Sequence, residues 1–150
     1  RILLMGAGGA ARGVILPLLE QNPASLSIVN RSPDKALALA TALSPLTGPT
    51  LLSGCGYPDL TGVFDLVINA TAASLAGDLP PLPQGIFAPD ALAYDMMYGK
   101  DTPFLAFARN HGARTADGLG MLVEQAAEAF WVWRGVRPAT SPVIQMLRGA

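Results

Sequence analysis

The 150-residue sequence has one cysteine, Cys55, and one histidine, His111. A lone thiol cannot close an internal disulfide, and a single imidazole beside it cannot complete a His/Cys metal set. A reducing compartment, the cytoplasm, is the simplest expectation. Charge is also scarce: 14% of residues are charged, ten basic against eleven acidic, for a net of -1. Non-specific nucleic-acid affinity needs clustered Lys and Arg, and no cluster exists here, so a nucleic-acid partner is not expected. Although 51% of residues are apolar, a long apolar run is missing too. The longest uncharged stretch, 36–58, is broken by Pro45, Gly48, Pro49, Gly54 and Gly56, which excludes an unbroken spanning helix. The first residue is Arg1, not Met, and the following apolar residues run straight into glycines, which spoils a signal-peptide core. An apolar run at residue 2 suggests instead a domain cut from a longer chain just before a buried strand. Some apolar surface would then belong to an absent partner.

What is present has the rhythm of strand, crossover helix and parallel strand. Residues 2–5 read as a buried strand and 6–9 as a turn. From Ala10, the residues Ala11, Ile15, Leu18 and Leu19 recur at helical spacing, with a kink expected at Pro17. A second strand covers 26–29. Ser32-Pro33-Asp34 then offers an N-cap, a first-turn proline and an acid for a helix ending near Leu43. At most one short strand is expected around Leu51-Leu52. Further strands follow at 65–69, 92–95 and 114–116, with 79–89 as proline-rich loop or a brief helical turn. Helices are expected over 102–110 and 118–134, the latter with Leu122, Ala126, Ala129, Phe130 and Trp133 on one broad face. Ser141 would cap a last helix to about Arg148. The pattern predicts a doubly wound parallel sheet, an α/β fold of Rossmann type, in one domain spanning 1–150.

Between the first strand and helix stands Gly6-Ala7-Gly8-Gly9-Ala10-Ala11, a G-x-G-x-x-A fingerprint in the context that gives it meaning. Gly6 permits the tight turn, Gly8 lets a pyrophosphate approach the backbone, and Ala11 lets helix and strand pack closely while helix N-terminal amides face the anion. The second strand ends in Asn30-Arg31-Ser32, where a protein selecting NAD places a carboxylate for the adenosine ribose. Arg31, with Ser32 and Lys35, supplies charge and donors suited to a 2′-phosphate, which points to NADP. The missing acid also weighs against binding of S-adenosylmethionine.

Other positions are less specific. Asn69-Ala70-Thr71 ends a strand on the carboxyl side of the sheet, where Asn69 and Thr71 either contact ribose or nicotinamide or form a simple turn. Met96 and Met97 read first as core filling. Gly118 and Gly120 precede the longest helix, so backbone could approach a flat ring there, and Gln125 could hydrogen-bond a substrate. Cys55 lacks a partner for catalysis, and His111 suits a helix end. Of the two lysines, Lys35 is assigned to phosphate and Lys100 has no paired base. No catalytic residue and no metal ligand emerges.

In order, these motifs resemble the C-terminal, NADP-binding part of shikimate dehydrogenases across nearly all of the chain. They are Gly6-Ala7-Gly8-Gly9-Ala10-Ala11-Arg12, Asn30-Arg31-Ser32, the 64–71 segment ending Asn69-Ala70-Thr71, Tyr94-Asp95-Met96-Met97-Tyr98, Thr102-Pro103-Phe104-Leu105-Ala106 and the 116–127 segment with Asp117-Gly118-Leu119-Gly120-Met121. The resemblance implies that Gly6, Ala7, Gly8, Gly9 and Ala10 hold the pyrophosphate, and that Asn30, Arg31, Ser32 and Lys35 hold the adenosine phosphate side. Met96 and Gly118 would line the nicotinamide, while Tyr98 and Gln125 would contact shikimate or 3-dehydroshikimate. It implies reversible reduction of 3-dehydroshikimate with NADPH in aromatic amino acid (chorismate) biosynthesis. The catalytic Lys and Asp belong to an N-terminal domain upstream of Arg1, onto which helices from about residue 120 would pack. One departure is Ala72, where the family usually has Ser; whether Ser74 replaces that hydroxyl stays open. Quinate preference and a homodimer also stay open. The competing expectations are a non-catalytic NADP-sensing or interaction module, and another two-domain NADP enzyme such as a glutamyl-tRNA reductase, which would lack the 117–121 motif.

Overall fold

The computed structural model describes residues 1–73 and 77–149. In chain order it contains β1 (Ile2–Met5), α1 (Gly9–Leu19), β2 (Ser25–Val29), α2 (Pro33–Leu43), β3 (Leu51–Cys55), β4 (Phe64–Asn69), β5 (Phe87–Asp95), α3 (Pro103–Asn110), β6 (Arg114–Ala116), α4 (Leu119–Arg134) and α5 (Ser141–Arg148), with 3-10 turns at Ser44–Leu46 and Tyr57–Asp59. The six strands form one sheet in the order β3-β2-β1-β4-β5-β6, and every neighbouring pair is parallel. This is the expected doubly wound α/β sheet, whose strand order reverses direction between β1 and β4.

Strand alternation feeds two cores. Leu3, Met5, Val29, Val67 and Ala93 point to the face covered by Phe104, Leu105 and Ala108 of α3. Ile2, Leu4, Leu26 and Ile28 point to the opposite face, under Ala11, Ile15 and Leu19 of α1 and Ala36, Leu39 and Ala40 of α2. Burial on both faces explains why β1 is apolar at every position.

Several local expectations need correction. β3 runs to Cys55, longer than the two residues expected. β5 starts at Phe87 and takes in Pro89, which composition had placed in a loop. Its pairing with β4 jumps from Phe64↔Phe87 to Leu66↔Leu92, and Asp90 sits there at φ 60°. Such an irregularity removes the need for the donor that proline lacks. Helix α1 runs from Gly9 to Leu19 with Pro17 in its last turn. Ser32 occupies the N-cap of α2, but its side chain makes no capping bond. Thr140, not Ser141, is the N-cap residue of α5, and its hydroxyl donates to Glu124 Oε1 at 2.6 Å.

Helix α4 has two apolar sides. The one buried within this chain is Leu119, Val123 and Ala127. Leu122, Phe130 and Trp133 are exposed, with Trp133 at 77%. Within this chain the helix rests on Leu119, Val123 and Ala127 and leaves its aromatic residues largely uncovered.

Candidate functional site

Register places the site. Met5 pairs with Val29 and Asn69, Val29 with Cys55, and Asn69 with Asp95. The last residues of five strands therefore lie on one line, and Gly6, Asn30, Gly56, Ala70 and Met96 step over the carboxyl edge together. In open α/β sheets ligands bind in the crevice where the strand order reverses, here between Gly6 and Ala70.

Gly6 adopts φ +110°, and a Cβ there would lie 3.0 Å from the Ala70 carbonyl oxygen. Only glycine suits such backbone at such a distance. Its N–H donates to Val29 O at 2.7 Å, which holds the turn against β2. Gly8 is the N-cap of α1, where no side chain caps the helix and no acid stands in the first turn. A Cβ on Gly8 would meet nothing within 4 Å. The helix thus presents unsatisfied amides and the positive end of its dipole to open space, the elements of an anion site. Ala11 is fully buried, consistent with close packing of α1 on the sheet.

A groove of about 960 Å³ runs over this turn, lined by Gly6, Ala7, Gly8, Gly9 and Ala10, by Asn30 and Arg31, and by the 70–73 segment. Its remaining walls are Tyr57, Pro58, Asp78, Leu79, Pro80 and Pro81, which sequence reasoning missed. Tyr57 and Pro58 follow β3 directly, so the strand order itself was the available signal. Burial pushes the Tyr57 phenol up to about 12, which leaves a neutral wall near neutral pH. Arg31 and Asp78 are the charged side chains among the described lining residues. Asn30 donates from its carboxamide to Ser32 O at 3.0 Å, which shapes the segment presenting Arg31.

Not every expected residue reaches this groove. Ser32 and Lys35 are exposed and are not among its lining residues. Asn69 is buried: its Oδ1 accepts from Thr71 N at 3.1 Å and Thr71 Oγ1 at 2.7 Å, and its Nδ2 donates to Asp95 Oδ2. The segment is therefore a side-chain-stabilised turn, with Thr71 on the groove wall. Ser74 lies outside the described residues. Met96 and Gly118 come together further along the edge. Gly118 N donates to Met97 O at 2.9 Å, and a Cβ on Gly118 would overlap the Met96 carbonyl. Tyr98 and Gln125 are exposed nearby in sequence, Tyr98 at 46%. Burial raises the Cys55 thiol, against an activated nucleophile. His111 is the C-cap residue of α3, with Nδ1 2.8 Å from Phe107 O.

A glycine turn and a bare helix terminus at the switch point of a 3-2-1-4-5-6 parallel sheet define the class: an α/β fold of the dinucleotide-binding type. Comparison with known proteins narrows it. The family model described as Shikimate / quinate 5-dehydrogenase matches residues 1–76, and that of the Shikimate 5'-dehydrogenase C-terminal domain matches 118–148. The chain belongs to the shikimate/quinate 5-dehydrogenase family. A Shikimate dehydrogenase (NADP(+)) of Aromatoleum aromaticum is 64% identical over 151 residues, covering 99% of this chain and 54% of that protein. An Ael1 enzyme from Pseudomonas putida matches with TM-score 0.85 at 54% identity, over 98% of this chain and 54% of its own. A shikimate dehydrogenase in complex with NADP+ matches with TM-score 0.79 at 33% identity, over 96% and 52%. The chain spans about half the length of the curated relatives it matches.

Proposed function

We propose that residues 1–150 are the NADP-binding domain of a cytoplasmic shikimate dehydrogenase acting in aromatic amino acid biosynthesis. The uncapped α1 terminus under the Gly6 turn, with Arg31 on the same groove, carries this reading. The Gly6–Ala10 backbone would take the pyrophosphate. The Arg31 guanidinium would take the 2′-phosphate, as a charge-assisted bidentate donor suits that group. Met96 and Gly118 would stand beside the nicotinamide, with Tyr98 and Gln125 toward the substrate. NADPH, when bound, supplies a hydride equivalent for reduction of the 3-dehydroshikimate carbonyl. General acid–base catalysis needs a positioned proton donor, and this reading places that donor outside the 150 residues.

Fluorescence titration of the chain with both reduced cofactors tests the assignment. NADPH is expected to bind at least about tenfold tighter than NADH, and Arg31→Ser to bring the two close to parity. Equal affinities in the parent chain would overturn the role of Arg31. Shikimate oxidation by the chain alone would show that the proton-transfer groups lie within it.

A further inference from the structure

Asp95 has no solvent exposure, and the proposed function gives it no task. Its carboxylate at the end of β5 joins three segments. Oδ2 accepts from the Thr102 hydroxyl at 2.6 Å and from Asn69 Nδ2 at 3.3 Å, and Oδ1 accepts from Met97 N at 3.0 Å. Thr102 is the N-cap residue of α3 and accepts from Leu105 N. Asn69 O accepts from Met96 N at 3.0 Å.

We propose that Asp95 is a positioning residue for the dinucleotide site, its carboxylate holding the Asn69–Thr71 turn against the glycine turn and the Met96–Met97 segment against Gly118. The chemistry requires a carboxylate. Asn69 can cap Thr71 through Oδ1 only while its amide nitrogen faces an acceptor, and Asp95 supplies one. With Asp95→Asn, an amide nitrogen meets either the Asn69 amide and the Thr102 hydroxyl, or the Met97 N–H. Either a buried donor loses its carboxylate acceptor, or the Asn69 carboxamide turns over and releases Thr71 from its Oδ1. The turn bearing Ala70, which abuts Gly6, loses its side-chain tie.

The inference rests on the NADP reading, and the test separates the two. In the parent chain, Thr71 and Met97 amides should be protected from hydrogen exchange. Asp95→Asn should speed both and weaken NADPH binding about tenfold. Asn69→Asp combined with Asp95→Asn restores a donor facing an acceptor between the two side chains, with the Thr102 oxygen accepting from the same amide nitrogen, and should recover most of the lost binding. A variant that is merely less stable would keep the parent's NADPH affinity when titrated well below its melting temperature, so the titrations are run there. If Asp95→Asn alone does not fold, the paired exchange decides: folded without NADPH affinity, it overturns the proposal. Unprotected Thr71 and Met97 amides in the parent chain do the same. A parent chain that fails to bind NADPH overturns the proposed function and this inference with it. A parent that binds, with Asp95→Asn binding equally well, overturns this inference alone.

Discussion

Gly6 and Gly8 lie two residues apart and carry opposite risks. Gly6 has a positive φ with a carbonyl against its missing side chain, so Gly6→Ala should cost about 1–3 kcal/mol of stability and disturb the turn. Gly8 is extended, at φ -84° and ψ -168°, and faces open space. Gly8→Ser installs a favoured N-cap residue, so it should leave the melting temperature unchanged or slightly raised. Its hydroxymethyl group would occupy the anion approach and weaken NADPH binding. Melting curves and cofactor titration on the pair check both halves. The glycine spacing was legible because sterics at such residues are local. The buried Asn69 carboxamide was not, since Asn-Ala-Thr reads alike whether its amide faces solvent or a carboxylate 26 positions later.

At the scale of elements, the link leading into α5 and its N-cap are held by polar ties to α4. Arg137 pairs with Glu124 at 2.9 Å and with Glu128, and Thr140 bonds Glu124. The Thr140 hydroxyl, together with Arg137, holds the Glu124 carboxyl below its ordinary 4.5. A carboxyl depressed in the folded state contributes stability above its ordinary value and loses it as pH falls through the depressed one. Docking of α5 should therefore loosen below about pH 4.5. Amide shifts of α5 followed from pH 6 to 3 should show this, and Glu124→Gln should flatten the response. The length and period of α4 were readable from sequence, but not its buried side. A helix whose large residues face away from its own domain presents the same apolar periodicity as one that buries them, so the period by itself does not say which side the chain's own core covers.

Over the whole molecule, the far end of α4 and the start of the link to α5 expose Phe130, Trp131, Val132, Trp133 and Val136. Contiguous apolar surface of this kind favours association. Because these side chains contribute little to the chain's own core, Phe130→Ser with Trp133→Gln should raise solubility. It should move the melting temperature little, as surface changes usually stay within about 0.5 kcal/mol. Light scattering and calorimetry on the double variant check both outcomes; a large loss of stability would show that the face is covered.

The sequence alone determined the alternation of strands and helices, the glycine turn at the first crossover and the absence of an acid after β2. Each depends on neighbours within a few residues, through apolar period, steric demand at one φ or the chemistry of one side chain. Tertiary structure decided the rest. Strand register brought Tyr57 and the 78–81 loop to one groove and placed Asp95 beneath two turns, and packing chose which side of α4 is buried. Those outcomes depend on pairings between residues far apart in the chain, which no local pattern encodes.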